Sequence, residues 1–124
     1  MIDIVEEISW YSAEIDAELV HELAPGEVLK SRVMNRTVFI AKTPDGKLVC
    51  GDDKCPHQGA SLSGGKCTKE SIVCPWHHYH FDLKTGRDKA GLGDCVRMHQ
   101  IKTEENQVRV GVSKTRLKLF GIKL

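Results

Sequence analysis

Two short groups of residues carry the chemistry of this chain: Cys55-Pro56-His57 and, after sixteen intervening residues, Cys74-Pro75-Trp76-His77. One thiol and one imidazole on each of two loops can build a four-ligand site for a soft metal. Such donors select zinc, copper or iron–sulfur chemistry over magnesium or calcium. Each group needs a turn that aims both side chains at one point, and Pro56 and Pro75 supply a rigid φ there. Gly59 and Gly64-Gly65 let backbone come close, and N–H groups facing sulfur would stabilise a charged centre. The remaining cysteines, Cys50, Cys67 and Cys95, match no ligand position. Five cysteines cannot all pair, and in a reducing compartment thiols are more often ligands, catalytic groups or core residues than disulfides. Cys50 is expected in the core, and Cys67 and Cys95 in loops where they can be exposed.

The elements that must hold these loops are strands and turns. Trp10 and Tyr11 can open a first strand. Residues 13–24 place Ile15, Leu19 and Leu23 at helical spacing, but Pro25-Gly26 ends the pattern, leaving a short helix or an irregular turn. Residues 28–34 and 37–41 are β-branched-rich and form a predicted hairpin about Asn35-Arg36. Thr43-Pro44-Asp45-Gly46 is a turn signal leading into a strand at 47–50. Residues 51–69 are loop, 71–74 and 79–82 short strands, and Thr85-Gly86 and 91–94 loops. The clearest alternation is 107–112, with Val108, Val110 and Val112 on one face. Leu117, Leu119, Ile122 and Leu124 suggest a final strand bent near Gly121. The pattern predicts a single all-β domain, an antiparallel sandwich or barrel. Residues 1–50 and 83–124 are its larger part and 51–82 a smaller, ligand-bearing insert. The insert has too few apolar residues for a core of its own, so metal binding is expected to supply part of its folding free energy.

Composition narrows the class. The chain has 124 residues, 40% of them hydrophobic, with 18 Lys plus Arg against 17 Asp plus Glu. A net charge of +1 gives no whole-chain attraction to nucleic acid. No apolar run approaches the roughly 20 residues of a membrane span, and the N-terminus lacks the basic start and apolar stretch of a secretion signal. A soluble, cytoplasmic protein is expected. Charge is uneven along the chain: residues 1–27 hold eight acids and no Lys or Arg, and residues 107–124 hold five bases and no acid. Either the two ends lie together and attract weakly, or the acidic segment helps dock a basic partner.

The ligand groups and their surroundings resemble the Rieske motif, in which two Cys hold one iron of a [2Fe–2S] centre and two His the other. The runs from Cys55 to Leu62 (CPHQGASL) and from Cys74 to Asp82 (CPWHHYHFD), then Thr85-Gly86 and 91–94, are similar to the small Rieske ferredoxins of bacterial ring-hydroxylating oxygenase systems. Pro25-Gly26-Glu27 and Pro44-Asp45-Gly46 fall where that family has similar turns. The resemblance covers residues 8–112. It implies the Rieske (iron–sulfur-protein-like) fold and one [2Fe–2S] cluster, with Cys55 and Cys74 on an inner iron and His57 and His77 on a solvent-edge outer iron. It also implies a one-electron carrier with no turnover of its own, served by a flavin-containing reductase and delivering to a terminal oxygenase. Respiratory-complex relatives carry two further cysteines as a disulfide and a serine hydroxyl. Ala60, Trp76 and Tyr79 stand at those positions here, which implies a low potential, around −150 mV.

Other assignments share parts of this pattern. A Cys2His2 zinc site would usually place both Cys in one loop and both His on one helix, unlike the mixed pairs here. The small subunit of a nitrite reductase shares the fold, and a structural or sensor iron–sulfur protein would use Cys67 or Cys95. An oxygenase catalytic subunit would add a mononuclear iron domain, for which 124 residues leave no room. His78 stands where the family usually has Gly, so the loop there is expected to need an unusual backbone angle. His78 and His80 are expected to be non-ligands, His21 and His99 surface or satisfied residues, and Trp76 a shield over the centre.

Overall fold

The structure is a computed structural model that describes residues 2–56, 59–76, 78–91, 93–119 and 122–123, with side chains described between residues 6 and 114. In chain order the elements are β1 (Ile2–Asp16), α1 (Ala17–His21), β2 (Val28–Val33), β3 (Arg36–Lys42), β4 (Leu48–Asp52), β5 (Lys66–Cys67), β6 (Ser71–Val73), β7 (His80–Asp82), β8 (Met98–Glu104), β9 (Gln107–Leu119) and β10 (Ile122–Lys123). Among the described residues, seven strands form one antiparallel sheet in the order β1-β9-β8-β4-β3-β2, with β10 on β9. A second, three-stranded sheet runs β5-β6-β7. The large sheet curls into a half-barrel, and its two edge strands meet through Arg32 on β2 and Glu14 on β1, 3.8 Å apart. The nearly all-β architecture is the one the sequence predicts.

Local chemistry sets the turns. The β2–β3 hairpin turns at Met34-Asn35, with Met34 left-handed at φ 56° and Val33 opposite Arg36, one residue earlier than predicted. β8, which the sequence did not reveal, joins β9 through Glu105 and Asn106 at φ 52° and 63°. Two successive left-handed residues make the primed turn that suits strand twist. β1 begins eight residues before Trp10, and its register on β9 sets Asp3 against Lys118 and Glu7 against Lys114. The acidic start and basic end therefore lie side by side along the two strands. β10 pairs back antiparallel on β9, with Ile122 opposite Leu119. The expected bend at Gly121 lies outside the described residues.

The core is divided by β3. Val38 and Ile40 point into the half-barrel with Val20, Val33, Cys50, Val108, Val110 and Val112. Phe39 and Ala41, on the opposite face, pack with Leu62, Cys67, Ile72, Phe81 and Val96. Gly51 admits this second core: a Cβ there would lie 2.7 Å from the Phe39 ring. The stretch 83–96, assigned by sequence to the larger part, contributes Val96 and the half-buried Leu83 to the core beneath the small sheet.

Candidate metal centre

The first loop leaves β4 and closes on itself. The Asp53 N–H donates to the Thr37 carbonyl (3.0 Å), the Cys55 N–H to Ala60 (2.7 Å) and the Gly59 N–H to Cys55 (2.7 Å). Gly59 takes φ 73°, the left-handed region its missing Cβ permits. The second loop is the end of the β6–β7 hairpin, closed by the Cys74 N–H on the Tyr79 carbonyl at 2.8 Å. Its left-handed residue is His78, at φ 57°. The unusual angle expected at that position is present, carried by a histidine.

A single 3-10 turn, Leu62–Gly64, wedges between the loops. A Cβ on Gly65 would lie 1.9 Å from the Val73 carbonyl oxygen, and one on Gly64 3.6 Å from Pro75. The turn thus bears directly on the strand and loop that carry Cys74. From the other side, the Cys67 N–H donates to the Gly26 carbonyl (3.0 Å) and the Gly26 N–H to Lys42 (2.8 Å), so Pro25-Gly26 ties the small sheet to the large one.

Cys55 and Cys74 are both fully buried and both free thiols. Burial pushes the Cys74 thiol up to about 11. A hydrogen bond from the Trp76 backbone opposes that rise, and the hydrogen-bonded Cys55 side chain adds to it. Two free thiols from separate loops, buried and in contact, form a donor pair for one soft metal ion, and a metal would replace the proton that burial favours on Cys74. The donor set fits an iron–sulfur centre on this side. His57 and His77 lie outside the described residues. Among the described residues no three His, Cys, Asp or Glu side chains gather at a metal-binding distance.

Other sequence expectations resolve individually. His80 Nδ1 lies 3.0 Å from Ser71 Oγ, and the His78 side chain is exposed. Cys50 is buried in the half-barrel, and burial raises its thiol strongly. Cys95 is exposed as expected, but Cys67 is not: it is buried on β5, and desolvation pushes its thiol up to about 11. Trp76 is 54% exposed, so its side chain projects from the loop. His99 is buried, with Nε2 2.7 Å from Asp52 Oδ1, and Arg36 Nη1 lies 2.9 Å from the same oxygen. Burial would raise the Asp52 carboxyl, but these hydrogen bonds outweigh it and hold it below the usual range. Neither this cluster nor the partners of Asp53 could be read from spacing.

A half-barrel with a small loop-bearing sheet, and two buried thiols meeting from its loops, defines a class of iron–sulfur domain. Residues 13–100 match the Rieske [2Fe–2S] domain, and the chain belongs to that family. Its cofactor is a Rieske-type [2Fe–2S] cluster. The chain is 27% identical over 114 residues to the 4beta-methylsterol monooxygenase of Methylococcus capsulatus, covering 92% of itself but only 27% of that protein. Against the ferredoxin component of the naphthalene 1,2-dioxygenase system of Pseudomonas aeruginosa it is 29% identical over 100 residues, covering 80% of itself and 95% of the relative. The solved ferredoxin of carbazole 1,9a-dioxygenase from Nocardioides aromaticivorans superimposes with a TM-score of 0.63 at 26% identity, over 73% of this chain and 89% of that one.

Proposed function

We propose that this chain is a one-electron carrier, a Rieske-type ferredoxin that receives electrons from a flavin-containing reductase and passes them to a terminal oxygenase. The observation that carries the reading is the meeting of the buried Cys55 and Cys74 thiols from two closed loops. Similarity to ferredoxin components over nearly their whole length supports it. In this reading Cys55 and Cys74 hold one iron, and His57 and His77 hold the other. The bound cluster supplies reversible one-electron chemistry. The chain's own residues set its surroundings. Ala60 and Leu62 are buried beside Cys55 and Cys74 and exclude water from the thiol side. The loop tip, with Trp76 exposed, faces a partner. Cytoplasmic residence belongs to the same proposal; among the described residues no helix is long and apolar enough to cross a membrane.

Anaerobic purification tests it. The protein should be red-brown, with about two irons and two acid-labile sulfides per chain. Chemically reduced protein should return about one electron per chain to an outside acceptor and turn over no substrate alone. One zinc without sulfide refutes the site, and substrate oxidation without any other protein refutes the carrier role.

A further inference from the structure

Asp53 stands between β4 and the first loop, and its side chain is completely shielded from solvent. A carboxylate in that position must be paired and hydrogen-bonded or it destabilises the fold. Ser63 meets it twice: its N–H donates to Oδ1 at 2.6 Å and its hydroxyl to Oδ2 at 2.8 Å. Lys30 Nζ, from β2, lies 3.6 Å from Oδ2 and donates to Ser61 Oγ at 3.3 Å. Ser63 is the centre of the 3-10 turn whose following glycines abut Val73 and Pro75. One carboxylate, two residues ahead of Cys55, is thereby fastened to the turn that braces the approach to Cys74.

We propose that Asp53 is a positioning residue for the cluster. With Lys30 it forms a latch that fixes the two ligand loops relative to one another, and the opposed charges of the pair set its influence on the reduction potential. The inference rests on the assignment of Cys55 and Cys74 as ligands. Removing the carboxylate leaves the Ser63 N–H and hydroxyl without their acceptor and Lys30 without its counter-charge, whereas an amide keeps an acceptor for the N–H and drops only the charge. Asp53→Asn should therefore hold the loops but raise the potential, because a buried negative charge two residues from a ligand disfavours the added electron. Lys30→Met should lower it. The double variant, again without net charge, should return toward wild type.

Three readouts test this. Loss of cluster to an iron chelator should be about tenfold faster in Asp53→Ala and within about twofold of wild type in Asp53→Asn. In the metal-free protein, hydrogen exchange at the Ser63 amide should quicken about tenfold in Asp53→Ala. Potentials measured at low ionic strength, where screening is weakest, should move in opposite directions for Asp53→Asn and Lys30→Met. If Asp53→Ala does not fold, the other two variants decide. Unchanged cluster retention with unchanged Ser63 exchange overturns the latch, and so do potentials that move together or not at all. A wild-type chain that takes up no iron and sulfide instead overturns the ligand assignment, and the Ser63 amide alone then decides whether Asp53 holds the turn.

Discussion

His78 offers a direct measure of strain beside the metal site. It holds φ 57° immediately after His77, and its side chain is exposed, so replacing it changes backbone preference more than packing. An L residue in the left-handed region is destabilised by about 1–2 kcal/mol. Glycine escapes that penalty but loses about 0.5–1 kcal/mol more backbone entropy on folding. The difference leaves His78→Gly more stable by about 0.5–1 kcal/mol. His78→Val adds a β-branch where φ is positive and should be less stable by about 1 kcal/mol. With a urea slope of about 2 kcal/mol per molar, the midpoint of the metal-free protein should rise by about 0.3–0.5 M for Gly and fall by about 0.5 M for Val. The loaded protein should lose its cluster to a chelator about two- to fivefold more slowly in the Gly variant. If His78→Gly gains nothing in either assay while His78→Val is tolerated, the left-handed angle is not what constrains this position, and the reasoning fails.

The remaining predictions concern the supports of the site. The Asp52 carboxyl is held below its usual value, so its stabilisation is full above the unfolded-state value and is lost as pH falls through the folded one. Acid unfolding followed by circular dichroism should steepen below about pH 4 in wild type, and Asp52→Asn should flatten that limb and remove about 1 kcal/mol at neutral pH, a figure reduced because the carboxylate is partly exposed. Gly65→Ala drives a Cβ to 1.9 Å from the Val73 carbonyl oxygen, a clash of backbone against backbone. It should lower unfolding free energy by about 2–3 kcal/mol and reduce iron per chain on reconstitution. Replacing His57 or His77 by Ala should abolish the Rieske-type electron paramagnetic resonance signal, while His78→Ala and His80→Ala should leave it largely intact. The potential should lie near −150 mV; a value near +300 mV overturns the argument from Ala60, Trp76 and Tyr79.

What the sequence made legible follows from how local each signal is. The two Cys loops, the Thr43–Gly46 turn and the valine alternation at 107–112 are each written in adjacent residues, and each is where the structure has it. β8 is not legible in the sequence because Gln100, Lys102 and Glu104 stand on its open face and only Met98 and Ile101 offer apolar side chains, so neither period is visible. The burial of Cys67 on β5 is not legible either, because it comes from Ile72, Phe81 and Phe39, none of them its neighbours in sequence. The same holds for Asp53, whose partners Lys30 and Ser63 sit on opposite sides of it along the chain. Resemblance located the ligand loops; their bracing became visible only when long-range contacts were on hand.

The small sheet also shows why the site depends on the rest of the molecule. Its strands are two or three residues long, far below what a free three-stranded sheet needs. Its support comes from elsewhere. Phe39 and Ala41 form its floor because every residue from Val38 to Ala41 is buried, which lets one strand serve a core on each face. Gly26 supplies a backbone acceptor at its edge, and the Asp53 latch fixes its upper loop. A bound metal would then tie together ends that are already close, so the half-barrel lowers the ordering entropy the cluster has to overcome. Substitutions at Phe39 should therefore weaken the metal site more than equal truncations at Ile40, although the two residues are adjacent and equally buried.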